Sequence, residues 1–208
     1  DALSGGLRQN RPYSFEQNLL RAKAGYRLSG KADLSLGIDH DKMERTYQQV
    51  EETEDLSVWG RLRMHPLEII EATLKLAHSN RDASPYTPLP GENSLMRVHY
   101  MADRDRDMAG VEVTLTPTEK LSLGVEIEYL EDDYSEMYLG LQEASGMTSN
   151  LNAAYVFSER LSATIYYTHE KLESEQAGSG WNFDPALGVP WLASDSNRTQ
   201  TFGAGLKW

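Results

Sequence analysis

Asp103, Asp105 and Asp107 alternate with Arg104 and Arg106. In an extended chain such alternation gathers carboxylates on one side and guanidinium groups on the other. Three closely spaced carboxylates invite a Ca²⁺ reading. An EF-hand loop, however, also needs a Gly turn and a distal Glu at fixed offsets, and neither follows here. The better reading is an Arg–Asp ladder that pins a loop, with Tyr100 just before it. The five His residues, His40, His65, His78, His99 and His169, have no regular ligand spacing that would mark a metal or haem site. Ser, His and Asp occur without a nucleophile elbow, so hydrolysis has no motif behind it. The absence of Cys excludes disulfides, thiolate metal sites and covalent c-type haem within this chain. A net charge of -12 and a pI near 4.8 argue against nucleic acid as a partner. The residues predict no catalytic group, resident cofactor or metal.

The elements that must position these groups are amphipathic strands. Val111, Val113 and Leu115 alternate with Glu112 and Thr114; after a turn through Thr116–Lys120, Leu121, Leu123, Val125, Ile127 and Tyr129 alternate with Ser122, Gly124, Glu126 and Glu128. This hairpin has one apolar and one polar face. Similar alternation runs through Leu20–Leu28, Leu34–Ile38, Leu56–Met64, Ile70–Leu76, Leu151–Phe157, Leu161–Tyr167 and Phe202–Trp208, giving about nine strands. Short turns near Gly30, Pro66, Pro117 and Ser158 alternate with long polar connections at Ser79–Asp107, Glu131–Gly146 and Glu170–Arg198. The turns also resemble one another, with Pro66, Glu68 and Ile70 matching Pro117, Glu119 and Leu121, so the unit is a repeated hairpin of roughly forty residues.

Short turns on one side and long loops on the other predict an all-β, antiparallel, up-and-down transmembrane barrel with periplasmic turns and extracellular loops. A soluble β-sandwich is the competing architecture. Mean hydropathy is only -0.56, and no apolar run approaches the roughly 18 residues of a spanning helix, but barrel strands escape that criterion because half of each is polar. The predicted lipid-facing set is Leu36, Ile38, Leu74, Leu76, Val113, Leu123, Val125, Ile127, Tyr155, Ile165, Tyr167, Leu206 and Trp208. The predicted lumen- or partner-facing set is Arg21, Lys23, Arg27, Asp33, Asp39, Trp59, Arg61, Arg63, Glu71, Lys75, Glu126 and Glu128. Its mixed charges suit either contact with a polar protein or a solvated, self-paired pore wall. The acidic groups Glu51, Glu52, Glu54, Asp55 and Glu131, Asp132, Asp133 read as solvated loop tips, with divalent-ion bridging to lipopolysaccharide as a lesser role. Residues 1–12 read as a loop or frayed end, and 13–208 as part of one barrel domain.

With the strands placed, several motifs become recognisable. Tyr100–Arg106, following Asn93–Arg97, resembles a motif of the MtrB/PioB family of decahaem-associated outer-membrane barrels. Trp59–Arg63 is similar to that family's tryptophan strand, Asn80–Tyr86 to its loop entry, and Asp132–Tyr134 with Leu139–Leu141 to the connection after the hairpin. The resemblance covers nearly everything from Tyr13 to Trp208. It implies an outer-membrane sheath around a periplasmic multihaem c-type cytochrome, in many members docking an extracellular one too, with haem carried by the partner. The implied role is extracellular electron transfer, such as metal reduction; the alternative is a porin with an open lumen. Nine strands are odd for a bacterial barrel, so a fragment of a larger chain is expected. Phe202, Ala204, Leu206 and Trp208 resemble a closing strand, and a strand before a further turn fits them equally.

Overall fold

The computed structural model describes residues 13–88, 93, 95–134, 137–179 and 191–208. Those residues form nine strands, β1 (Phe15–Ser29), β2 (Ala32–Arg45), β3 (Glu52–Leu67), β4 (Ile70–Ala83), β5 (Arg104–Thr118), β6 (Leu121–Asp133), β7 (Gly140–Ser158), β8 (Leu161–Gly178) and β9 (Trp191–Lys207), with one 3₁₀ turn at His99–Met101. Every strand pairs antiparallel with its sequence neighbour in a single sheet ordered β1 to β9. The sheet is not closed, since β1 and β9 each pair on one side only. The predicted end segment 1–12 lies outside the described residues.

Residues directly opposite in an antiparallel ladder project to the same face, so the register shows whether nine separate alternations agree. They do. Ala24 opposes Leu36, Leu36 opposes Gly60, Gly60 opposes Leu76, Leu76 opposes Ala109, and Ala109 opposes Tyr129. The row continues through Met147, Lys171 and Arg198, which is where the apolar surface gives way to the charged end of the sheet. Two same-face positions nearer the short turns, Val125, Leu151, Tyr167 and Phe202 line up instead, with the Tyr167 and Phe202 rings 4.6 Å apart. Apolar residues on this face stay exposed, Ile38 at 52%, Ile165 at 59% and Leu206 at 72%. Among the described residues, the buried polar ones, Thr53, Thr73, Ser79 and Asp132, all belong to the opposite face.

The short turns are built alike. Each strand that enters one carries a register shift next to the turn, at Arg27/Ser29, Met64/Leu67, Leu115/Thr118 and Val156/Ser158. The Ser29, Thr118 and Ser158 hydroxyls accept hydrogen bonds from Lys31, Lys120 and Arg160 N–H groups, a local side-chain cap that fixes the reversal. Successive turns are also tied together, His65 N to Lys31 O at 2.8 Å, Thr116 N to Ile69 O at 2.8 Å and Val156 N to Lys120 O at 2.8 Å. Pro66 and Pro117 stand in the shifted segments rather than in the turns, which fall at 68–69 and 119–120. A proline has no N–H to give the ladder and is accommodated where pairing is already interrupted.

The strands outrun the apolar alternation at the other end. The predicted connections at 79–107, 131–146 and 170–198 shrink because β4 continues to Ala83, β5 starts at Arg104, β7 starts at Gly140, β8 runs to Gly178 and β9 begins at Trp191. Alternation reports only where one face meets an apolar medium, whereas backbone pairing continues where both faces are wet. Even the shortest strand, 13 residues, is roughly 40 Å long at about 3.3 Å per residue. Trp181, Phe183, Pro185 and Pro190 of the last connection lie outside the described residues.

Aromatic rings stand where a side chain on three glycines of the polar face would be. A Cβ on Gly37 would run into the Trp59 ring, one on Gly203 into Tyr166, and one on Gly178 into Trp191. Gly37→Val therefore displaces Trp59, and an overpacking cost of about 1–3 kcal/mol is expected. In urea unfolding, the double variant Gly37→Val/Trp59→Ala should lose little beyond Trp59→Ala alone; additive losses would show that the ring and the glycine are independent.

Candidate functional site

All twelve residues predicted to face a lumen or partner share the polar face, and all thirteen predicted to face lipid share the apolar one, Trp208 by continuing the parity of Leu206 beyond the end of β9. Along the polar face the charges are sorted laterally. Arg27 Nε lies 3.2 Å from Asp33, and Arg63 Nε 3.3 Å from Glu71, which also meets His65 at 3.3 Å. Lys75 reaches away from its own strand toward three carboxylates, Glu112 at 3.7 Å, Glu126 at 3.5 Å and Glu128 at 3.7 Å. From Glu126 a chain of hydrogen bonds runs on, with Asn150 donating at 3.3 Å and Thr168 donating to Asn150 at 2.8 Å. Beyond it β8 and β9 present mostly uncharged groups, among them Tyr166, Thr168, Thr201, Gly203 and Gly205. Lys23 sits over the Trp59 ring, 5.8 Å from its centroid, which adds a cation–π contact.

At the long-connection end the polar face is covered by folded-in loop segments. Arg104, whose side chain is 9% exposed, donates to Asp55 at 2.6 Å and Ser79 at 3.3 Å, with Nε 3.9 Å from Asp132. Arg106 grips both oxygens of Asp132 at 2.5 and 2.7 Å, the two-pronged geometry that suits guanidinium to carboxylate. The Tyr134 hydroxyl donates to Asp132 at 3.4 Å. Burial, then the Asp132 charge, pushes the Tyr134 phenol above its usual range. Arg81, opposite Arg104 in the ladder, donates to the Ala102 and His99 carbonyls at 2.8 and 2.6 Å. Ala83 N–H donates to Asp103 at 2.7 Å. Ala102, Tyr134 and Met137 pack together with Leu141 against them, joined to this network through the Tyr134 hydroxyl and the Ala102 carbonyl.

The Arg–Asp ladder is thus split between faces. Arg104 and Arg106 enter the buried network on the polar side, while Asp105 accepts from Asn80 at 2.8 Å and Asp107 meets His78 at 2.8 Å on the other side. Tyr100 is 52% exposed and stays out of the network, edge-on to His99. Among the described residues no group of carboxylates and His has metal-binding geometry. Asp55 and Asp132 overturn their reading as solvated loop tips: Asp132 is 6% exposed and both are ion-paired. Runs of acidic residues hid them, yet both keep the polar-face parity of their strands, as does Arg81. That parity was the available signal.

Removing Asp132 leaves Arg106 without its carboxylate in a half-dry site beside Arg104, and breaking a buried pair costs about 3–5 kcal/mol. Asp132→Ala should lower the unfolding midpoint strongly, and Arg81→Ala should instead expose 95–103 to protease with a smaller stability loss. Equal effects from both variants would contradict this division of labour.

The model of the family described as "Putative outer membrane beta-barrel porin, MtrB/PioB" matches residues 1–208. The chain is 30% identical over 210 residues to Outer membrane protein MtrB of Shewanella baltica (strain OS185), covering 99% of this chain and 30% of that protein. It therefore spans less than a third of that relative's length. Among solved structures, outer-membrane expressed OmpT of Vibrio cholerae gives a TM-score of 0.60 at 11% identity, over 93% of this chain and 56% of that one. The copper transporter OprC gives 0.58 at 9% identity, over 93% and 34%. These likenesses support the fold, and the matches at family and sequence level identify the chain: it is an outer-membrane protein of the MtrB/PioB β-barrel family.

Proposed function

We propose that this chain forms part of the wall of a barrel that houses a periplasmic multihaem c-type cytochrome and lets electrons cross the outer membrane along the partner's haems. Residues 13–208 belong to one transmembrane domain, the apolar face meets acyl chains, and the polar face looks into the lumen. The observation that carries this reading is the continuity of the two faces across nine strands, together with membership of a family whose Shewanella relative is named for the outer membrane. A lipid-excluding wall with an internally satisfied backbone is what a haem chain needs across roughly 30 Å of hydrocarbon. The role is noncatalytic: the wall's acids and bases are largely engaged with each other, as Lys75 is with three glutamates. Long connections at the opposite end from the short turns suit docking of an external multihaem cytochrome. The second reading, a porin passing small solutes, is favoured by the family description itself.

Purification of the full-length protein from outer membranes distinguishes them. A red complex with c-type haem absorbance and one cytochrome per barrel is expected; a colourless barrel with high ion conductance would support the porin. The orientation is tested separately. Ile127→Arg places a charge on the lipid face and should cost about 2–4 kcal/mol in folding into vesicles, whereas Thr148→Arg on the lumen face should be tolerated.

A further inference from the structure

The upper limit of the apolar surface runs obliquely across the sheet. On β3 the apolar alternation spans Leu56 to Met64, and the row that starts at Met64, near the short turn, passes through Ala72, Val113, Val125 and Leu151 to Tyr167 and Phe202. Those two aromatics are the upper limit on β8 and β9. The limit thus falls by roughly one to one and a half residues per strand, the stagger of strands tilted by about 35–45°. Leu56 and the Tyr167–Phe202 pair therefore mark one plane, met by tilted strands. Beyond it β8 and β9 continue to Gly178 and Trp191, roughly 35 Å along the strand at about 3.3 Å per residue.

The residues that follow on the apolar side of β8 and β9 are ordered by charge. His169 and Gln200 come first, directly opposite each other, then Lys171 and Arg198, then Glu173 and Ser196. On its other flank β8 is paired with β7, where Ser149 faces His169 and Met147 faces Lys171. Neither neighbouring strand places a carboxylate directly opposite Lys171. Like charges directly opposite each other destabilise a sheet, so Lys171 and Arg198 call for an anion. Glu173 supplies part of it, its carboxylate 2.6 Å from Lys171 Nζ, but these side chains are 34% and 47% exposed, and an exposed pair holds weakly. Glu173 also lies one same-side step farther from the apolar surface than the cations do. On β5 and β6 the first residues past the limit are Asp107 and Glu131, so the basic sector is confined to β8 and β9.

On the reading that the apolar face meets acyl chains, we propose that Lys171 and Arg198, flanked by His169 and Gln200, bind a phosphate of the lipid A headgroup in the outer leaflet. Cations immediately past an aromatic pair on a lipid-facing surface stand at the depth where acyl chains give way to headgroups. The planar fork of Arg198 suits two phosphate oxygens, and Lys171 adds a point charge. His169 and Gln200 bring further donors on the acyl side of the cations. The Tyr167 and Phe202 rings, 4.6 Å apart, come next toward the hydrocarbon. A phosphate bound here displaces Glu173 from Lys171 and fixes the height of the β8–β9 hairpin in the membrane.

The test uses the full-length protein in detergent, with phosphorylated lipid A and its dephosphorylated form as probes. Lys171→Ala/Arg198→Ala should weaken binding of the phosphorylated form at least about tenfold and leave the dephosphorylated form unaffected. Lys171→Arg/Arg198→Lys should bind both as the native protein does. Unchanged affinity for phosphorylated lipid A in a double alanine variant that remains heat-modifiable overturns the site. Acetylation of Lys171 by a water-soluble reagent, in native protein reconstituted into vesicles, gives a second readout independent of any variant's folding. Relative to Lys23 on the other face, Lys171 should react several-fold more slowly in vesicles with phosphorylated lipid A than with the dephosphorylated form. Equal rates in the two vesicles would sink the phosphate contact. An Ile127→Arg variant that folds into vesicles as readily as the native protein would instead remove the lipid-facing reading on which the site depends.

Discussion

The sheet depends on one constraint, that the backbone N–H and C=O groups between adjacent strands must pair with each other wherever a face is apolar. Facing hydrocarbon, an unpaired amide has no water to turn to, so the antiparallel ladder is a requirement before it is a scaffold. Register follows from the same need. A slip of one residue would bring every Leu and Ile to the polar side and every Arg and Glu to the other. The short turns guard against that slip: a register shift beside each turn, a hydroxyl cap in three of them, and backbone bonds from one turn to the next.

On the polar face, identical residue types do different work according to how far water is excluded. The Arg27–Asp33 pair is 78% and 50% exposed at its side chains, and exposed pairs contribute about 0–1 kcal/mol. In the pairs of Arg106 with Asp132 and of Arg104 with Asp55 the side chains are 32%, 9%, 9% and 23% exposed, and the Tyr134 hydroxyl joins at Asp132. There the local dielectric is lower and loss of one partner is costly. The rim network is accordingly the more fixed end of the polar face, and the middle of that face remains exposed.

Sequence periodicity carried the division of the strands into two sides, since the period of a strand is set by covalent geometry and survives any packing. It located strand ends less well. Apolar alternation stops near Leu76, Tyr129 and Tyr167, yet pairing continues to Ala83, Asp133 and Gly178. Once both sides of a strand are solvated, hydrophobicity no longer distinguishes strand from loop. Asp55 and Asp132 were lost in acidic runs for a related reason, because composition describes a neighbourhood and burial belongs to one side chain.

What the sequence by itself determined is the two-sided strand: which residues share a face, how many hairpins repeat, and the family whose motifs recur in order. Those properties are local or nearly so, written at spacings of two residues and of one hairpin. The tertiary structure alone decided that the connections fold inward over β3 to β6, that Lys75 abandons Arg61 for three glutamates, and that Arg81 ties down a loop eighteen or more residues away. Each is a contact between segments whose separation in the chain carries no pattern, so it becomes fixed only when strand order and register bring the side chains within reach.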